Sequence, residues 1–164
     1  MYGFQFAGFD FNVPQPFVTF FTVTATFENA LKQSGFVTGQ ETKRASPDWN
    51  GFANTLGSPF FDELRAAPSV AIFFEAPPKL LIVSAGHATF KDVPAPVNCQ
   101  QLFESVRCVR NNLFHGSKVY ATPRDFRLVE ASLSILEAAI TSCEARQELR
   151  NVYYAFTFAP LGAG

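Results

Sequence analysis

The chain has 164 residues, of which 48% are hydrophobic and only 16% are charged, and its formal net charge is -1. This length supports a single domain, residues 1–164, with a core that needs no disulfide or metal to hold it. The near-zero net charge excludes a whole-protein attraction to nucleic acid, so any such contact must come from a local basic patch. The 20 phenylalanines beside one tryptophan predict a core and an additional apolar surface, for which a homo-oligomer interface is the simplest explanation.

The cysteines and the first residues of the chain predict a cytoplasmic protein. Cys99, Cys108 and Cys143 cannot all pair, and they lack the close spacing of a zinc site, so they are interpreted as buried thiols in a reducing compartment. Residues 1–12 contain no basic stretch, which argues against a signal peptide. No apolar run approaches the roughly 18 to 20 residues of a membrane span, so we expect no membrane association.

The first third of the chain begins with an irregular arm and a helix. Residues 1–16 are rich in Gly and Phe without a clear period, which predicts an N-terminal arm packed on the body or on a partner. Residues 17–33 carry apolar side chains on one helical face, although the segment Val18–Thr24 has strand propensity. The length favours a helix. Glu28 and Lys32 are four residues apart, which predicts an ion pair along that helix.

Capping residues predict two short helices after a polar loop that spans Ser34 to Asn50. Asp48 is suited to cap a helix over Trp49–Leu56. Ser58 and Pro59 are suited to start the next helix, because a proline at the first helical position loses no hydrogen bond.

Residues 70–96 are ambiguous. Val70–Phe74 and Leu80–Val83 are short apolar runs that fit either a helix or a strand, and two strands would pair as a small hairpin. Ser84–Pro96 is interpreted as a loop because of its glycine and prolines. His87, with no acidic or cysteine neighbour, is interpreted as an ordinary loop residue.

The clearest periodicity lies in the last part of the chain and predicts a helical hairpin over residues 97–148. In residues 97–114, apolar residues recur at helical spacing, and Gly116 fits a C-terminal cap. Thr122 or Pro123 opens a longer helix with apolar side chains at alternating three- and four-residue spacing. These elements predict an all-α fold, a bundle of four or five helices. Residues 153–164 are interpreted as a short docked segment or a frayed tail.

A locally basic segment joins the two helices of this hairpin. From Ser105 to Val129 the only acidic residue is Asp125, whereas the basic residues are Arg107, Arg110, Lys118, Arg124 and Arg127, and His115 lies among them. Arginine presents a planar fork to phosphate oxygens, and histidine transfers protons near neutral pH. The segment could therefore bind a phosphodiester. The alternative is structural, because basic side chains at a helix C-terminus stabilise the helix dipole.

The geometry of this segment sets a condition for a shared site. On a regular helix, Arg110 and His115 would point about 140° apart, because each residue turns about 100°. They can face one cleft only if the helix ends between them, which Gly116 makes reasonable. With two histidines in the whole chain, a catalytic metal site is not expected, and no cofactor motif is present.

The run from Arg110 to His115, Arg-Asn-Asn-Leu-Phe-His, resembles the Arg, four to six residues, His motif of HEPN domains. The polar Asn111 directly after the arginine and the following Gly116-Ser117-Lys118 resemble small stand-alone members. The resemblance implies a dimeric helical bundle, and often a metal-independent endoribonuclease of toxin–antitoxin or phage-defence systems. It implies that Arg110 and His115 are the catalytic pair and that Asn111 is a positioning residue in the substrate-binding part. Other members are inactive RNA- or nucleotide-binding forms.

Charge and proximity add Arg107 and Lys118 as candidate substrate-binding residues, and chemistry independently favours a homodimer. Cleavage of RNA by its 2′-hydroxyl needs one group that takes a proton and another that gives one. The basic segment contains one histidine, and a two-fold axis would supply the second. The leading expectation is a ribonuclease that cuts RNA in such a composite site, with a possible antitoxin as partner. The alternatives are a non-catalytic RNA- or nucleotide-binding adaptor and a purely structural protein.

Overall fold

The computed structural model describes residues 13–114 and 121–158, and it is 68% helical. The described residues form six α-helices: α1 Gln15–Gln33, α2 Trp49–Ala66, α3 Ile72–Glu75, α4 Cys99–Phe114, α5 Pro123–Ala145 and α6 Arg150–Phe158. Two small antiparallel sheets pair β1 Val37–Thr38 with β2 Ser46–Pro47, and β3 Leu80–Ser84 with β4 His87–Lys91. The predicted helical fold is confirmed in this general sense. The predicted count of four or five helices is too low. Helix α3, with only four residues, lies in a run that fitted a helix or a strand, and α6 lies largely in the segment interpreted as a docked segment or a frayed tail.

Helix α1 confirms the helical interpretation of residues 17–33 and begins two residues earlier, at Gln15. The predicted arm therefore ends sooner than residue 16, and residues 1–12 lie outside the described residues. Pro16 fits the first turn because the N–H it lacks would have no helical acceptor there. The Thr24 hydroxyl is buried and donates to the Phe20 carbonyl at 2.7 Å, which satisfies it inside the core.

Helix α2 consists of the two predicted helices joined end to end. The Asp48 carboxylate accepts a hydrogen bond from the Gly51 N–H at 2.9 Å, so the predicted cap is confirmed. Gly57 has φ 75° and ψ -172° and interrupts the helix. This break and the missing N–H of Pro59 leave carbonyls without helical donors. The Arg146 guanidinium donates to two of them, the Thr55 oxygen at 2.7 Å and the Leu56 oxygen at 3.0 Å.

The ambiguous segment 70–96 contains one helix and one hairpin. The first apolar run lies in the helical turns at Pro68–Val70 and α3, whereas the second forms β3. The predicted loop over Ser84–Pro96 is wrong at residues 87–91, which form β4. Ala85 (φ 49°) and Gly86 (φ 80°) both adopt the left-handed conformation of a two-residue type I′ turn. This turn reverses the chain directly into a strand that is too short and too polar to be recognised by its pattern.

The core is centred on α5 and is rich in phenylalanine. Helix α5 contacts the other helices, and α4 packs most extensively on α2. Phe103 is fully buried and its ring lies 5.5 Å from that of Trp49, 5.6 Å from Phe52 and 6.1 Å from Phe60. Among the phenylalanine side chains that the structure describes, only Phe90 and Phe158 are exposed. Within the described residues, the phenylalanine side chains therefore mainly fill the interior. The additional apolar surface that the composition predicts stays a prediction, because Phe4, Phe6, Phe9 and Phe11 lie outside the described residues.

A capping box starts α5, as the position of Thr122 predicts. The Thr122 hydroxyl accepts from the Asp125 N–H at 3.3 Å, and the Asp125 carboxylate accepts from the Thr122 N–H at 2.9 Å. We expect Thr122→Ala to lower the free energy of unfolding by about 1 kcal/mol, because the helix loses its cap. Urea unfolding followed by circular dichroism measures the change. Thr141→Ala, in the exposed middle of the same helix, is the control and should cost less, so equal losses would contradict the capping role.

The three cysteines are free, with Cys99 and Cys108 in α4 and Cys143 in α5. Cys99 and Cys143 are buried as predicted, whereas Cys108 is half-buried. Burial raises the pKa of Cys99 to about 12 and that of Cys143 to about 12, so both thiols are protonated at neutral pH. Over the described ranges, no helix combines the length and the apolar character that a membrane crossing requires.

Candidate functional site

The predicted site lies on the last turns of α4. The apolar side of these turns, with Val106 and Val109, is buried in the core. Arg107 and Asn111 are exposed on another side, whereas Arg110 is half-buried and Asn112 is buried. Because Arg107 and Asn111 are four residues apart, they lie on nearly the same side of the helix, and Arg110 points away from Asn111 by about 100°.

Arg110 is held by an ion pair across the helix bundle. Its Nη2 atom lies 2.5 Å from Glu28 Oε1 of α1, and the two side chains retain only 29% and 23% exposure. This contact corrects the predicted pair within α1, since Glu28 bonds to Arg110 and not to Lys32. Sequence reasoning did not identify Glu28 as part of the site. The available signal was that Glu28 is the only acidic residue of α1.

A cavity of about 250 Å³ lies beside α4. Its lining includes the exposed pair Arg107 and Asn111 together with apolar residues of β3, and comprises Leu80, Leu81, Glu104, Arg107, Cys108, Asn111 and Asn112. The base of the β3–β4 hairpin closes one side, because the Lys79 carbonyl accepts from Asn112 Nδ2 at 2.8 Å and from the Cys108 thiol at 3.3 Å. The cavity thus combines one cation (Arg107), one carboxylate (Glu104), one exposed amide (Asn111) and an apolar wall.

Cys108 is poorly suited to act as a nucleophile in this cavity. Burial is the main reason that its pKa is raised, and the Glu104 carboxylate raises it further, although the hydrogen bond from Asn112 lowers it. The thiol is therefore protonated at neutral pH, and the thiolate is the reactive form. Any chemistry at this site would have to come from other side chains.

Part of the local positive charge has a structural role. Arg124 donates to the Ala76 carbonyl at 3.0 Å and to the Pro77 carbonyl at 2.7 Å, which fastens α5 to the segment before β3. Arg127 is exposed on α5. The acid of this segment, Asp125, is buried at the start of α5. Arg107 and Arg127 are therefore the exposed arginines of the described part of the basic segment.

The structure brings together only some of the predicted site residues. Arg107 and Asn111 share the cavity beside α4, and Arg110 faces α1. His115 and Lys118, as well as the predicted cap Gly116, lie outside the described residues. Helix α4 is described as far as Phe114, the residue before His115. The requirement that Arg110 and His115 face one cleft therefore remains a prediction.

No metal centre is evident in residues 13–114 and 121–158, where no group of three or more His, Cys, Asp or Glu side chains could hold an ion. Comparison with protein-family models, with curated proteins and with solved structures gave no match to this chain.

Proposed function

We propose that this protein is a HEPN-type endoribonuclease that cleaves RNA without a metal ion, with Arg110 and His115 as its catalytic pair. The observation that carries the proposal is the run from Arg110 to His115, whose arginine lies in the last turns of α4 with its guanidinium held by Glu28. The mainly helical fold agrees with the helical bundle that the resemblance of the Arg110–His115 run to HEPN domains implies. The protein acts as a homodimer and as a toxin of a toxin–antitoxin or phage-defence system, with an antitoxin protein as its inhibitor.

The chemistry follows from the two side chains and their symmetry mates. His115 of one copy takes the proton of the RNA 2′-hydroxyl, whose oxygen forms a bond to phosphorus. His115 of the other copy gives a proton to the departing 5′-oxygen as its bond to phosphorus breaks. Arg110 stabilises the negative charge that builds up on the phosphate oxygens. The products are a 2′,3′-cyclic phosphate and a 5′-hydroxyl.

Glu28 acts in this proposal as a positioning residue for Arg110. A guanidinium has five N–H donors, and the bond to Glu28 leaves most of them available. A fixed guanidinium needs less reordering when phosphate binds, which favours the transition state. Arg107, Asn111 and Lys118 bind the substrate, and the first two border the cavity beside α4.

A second candidate is a non-catalytic protein that binds RNA or a nucleotide. One observation favours it, namely that the Glu28 carboxylate neutralises the charge of Arg110. In that case the exposed Arg107 and Asn111, at a cavity of about 250 Å³, are the contacts that matter. This candidate predicts salt-dependent binding of RNA without any cut.

Cleavage of labelled RNA in the presence of EDTA separates the two candidates. We expect the wild-type protein to produce cyclic-phosphate ends, and we expect His115→Ala to lower the cleavage rate by about 10²- to 10⁴-fold because general acid–base catalysis is lost. Lys43→Ala, at an exposed position between β1 and β2, is the control and should cut at the wild-type rate.

The possible outcomes assign the function. Cleavage by His115→Ala at the wild-type rate would rule out the proposed mechanism. Binding without cleavage by the wild-type protein would support the second candidate. The absence of any salt-dependent binding would leave a structural role for the basic segment.

A further inference from the structure

The β3–β4 hairpin is attached to the rest of the protein mainly at its base. The Lys79 carbonyl, directly before β3, accepts hydrogen bonds from α4. Lys79 Nζ lies 2.9 Å from the carboxylate of Asp92, the residue directly after β4. Every residue of β4 is exposed, and Val83 of β3 is 79% exposed. A two-stranded hairpin is marginally stable by itself. Within residues 13–114 and 121–158, no third strand pairs with this hairpin and no layer covers β4.

The turn determines which backbone groups of the hairpin are free. In a two-residue type I′ turn, the residues that flank the turn, Ser84 and His87, form a hydrogen-bonded pair. Hydrogen-bonded and non-hydrogen-bonded pairs then alternate along the ladder. The pairs Val83–Ala88 and Leu81–Phe90 are non-hydrogen-bonded, so the N–H and C=O groups of Ala88 and Phe90 point away from β3. Among the described residues they have no backbone hydrogen-bond partner.

The central part of the β4 edge lacks the features that protect natural sheet edges, although Lys91 at its end carries a charge. Such edges usually carry charged side chains, proline or a bulge at the outward positions. The three central residues of β4 are Ala88, Thr89 and Phe90, and the ladder with β3 is continuous without a bulge. Strand β3, in contrast, packs beside α4. The unprotected edge of this hairpin is therefore that of β4.

We propose that β4 pairs with β4 of a second copy of this chain, antiparallel and about a two-fold axis at Thr89. In this register Ala88 of each copy lies opposite Phe90 of the other, and both residues of each pair direct their free backbone groups at the partner. The three central pairs carry no charge, and the Thr–Thr pair on the axis is favourable across strands. Only the end pairs, Lys91 opposite His87, include charged side chains.

The pairing also aligns the apolar faces of the two hairpins. The face formed by Leu81, Val83, Ala88 and Phe90 is apolar throughout. The two-fold axis between adjacent antiparallel strands is perpendicular to the sheet, so these faces lie on the same side of a four-stranded sheet. Leu81 and Phe90 line cavities against the last turns of α4. Leu80, on the opposite face, also lines cavities against α4, so α4 lies along β3 and reaches both faces of the hairpin.

The size of the contact indicates that surface outside the paired strands also takes part. A five-residue strand is only about 17 Å long, and its pairing alone covers less surface than the roughly 1,200 to 2,000 Å² of a standard interface. The purpose of this dimer rests on the proposed function, because that function needs His115 from two copies in one cleft. The interface itself is inferred from the geometry of the strands.

Cysteine cross-linking tests the register. Residues opposite each other in a non-hydrogen-bonded pair have Cα atoms about 4.5 Å apart, within the range of a disulfide. Under mild oxidation we expect Thr89→Cys to form a covalent dimer at least about tenfold faster than Val83→Cys, which is also at an exposed position, on β3. The wild-type protein, with its three native thiols, gives the background. Equal rates for the two variants would overturn the proposal.

Proline substitution tests the contribution of the edge itself. Ala88→Pro removes an outward N–H that the hairpin does not use, and proline is tolerated on edge strands. Val83→Pro makes the same change at the other edge and is the matched control. By analytical ultracentrifugation, we expect the dimer dissociation constant to rise at least about tenfold in Ala88→Pro only. An unchanged constant in Ala88→Pro, or a monomeric wild-type protein at micromolar concentration, would overturn the interface.

RNA cleavage by the same proteins keeps the two proposals distinguishable. If the wild-type dimer requires the β4 edge but does not cut RNA, the interface proposal stands and the ribonuclease proposal is contradicted. If the protein cuts RNA as a dimer and Ala88→Pro does not change its dissociation constant, the ribonuclease proposal stands and the β4 interface is contradicted.

Discussion

Replacement of Phe103 with alanine is expected to lower the free energy of unfolding by about 3 to 5 kcal/mol, the usual cost of removing a buried phenylalanine. The side chain is fully buried, and its ring is stacked on Phe60 at 6.1 Å and edge-on to Phe52 at 5.6 Å. It also connects α4 to α2, which is the main neighbour of α4. Since domains of this size are stable by about 5 to 15 kcal/mol, the variant should be close to unfolding at moderate temperature.

Urea unfolding followed by far-ultraviolet circular dichroism measures this loss. Phe158→Ala is the matched control, because that ring is 70% exposed, and it should change the stability by less than about 0.5 kcal/mol. Phe103→Leu retains most of the volume and should cost clearly less than the alanine variant. If Phe103→Ala were as stable as Phe158→Ala, the aromatic cluster would not have the central position described above.

Arg110→Ala is expected to lower the RNA cleavage rate by about 10²- to 10³-fold, the typical effect of removing one group that stabilises transition-state charge. The substitution also leaves the Glu28 carboxylate partly buried without its partner, so the stability should fall by about 1 to 2 kcal/mol, between the values of exposed and buried ion pairs. Arg110→Lys should not restore activity, because a lysine cannot bond to Glu28 and to a phosphate in the same way.

The companion variant Glu28→Gln separates the structural role of the pair from its role in catalysis. With Arg110→Ala it forms a double-mutant cycle, in which two residues in direct contact should show a coupling energy of about 1 kcal/mol in the unfolding experiment. Arg150→Ala, in an exposed position of α6, is the control for the loss of one positive charge. Wild-type cleavage by Arg110→Ala would remove Arg110 from the mechanism, whatever its effect on stability.

The long helices could be predicted from the sequence because their signal is local. The apolar period of α1, α4 and α5 extends over many residues, and the caps Asp48 and Thr122 use side chains within three residues of their targets. Such signals need no knowledge of the rest of the fold. The break in α2 was also readable, since Gly57 precedes a proline at a permitted first helical position.

The features that the sequence did not predict depend on contacts between distant residues. Glu28 and Arg110 are 82 positions apart. Sequence spacing alone therefore favours Lys32, four residues away, as the partner of Glu28, and this prediction is wrong. Strand β4 has only five residues, and its identity depends on pairing with β3. The burial of the phenylalanines depends on how the helices pack, and composition alone does not divide core from surface.

The bonds from Arg146 to the interrupted helix α2 have a consequence for the order of events during synthesis. The Thr55 and Leu56 carbonyls acquire their donors only after a residue 90 positions later has been made. Helix α6, also among the last described residues to be made, packs on α1, near the first. A chain growing from its N-terminus therefore carries α1 and α2 unfinished until Arg146 and α6 have been made. The arrival of α5 and α6, and not the synthesis of α1 and α2, therefore completes this helical bundle.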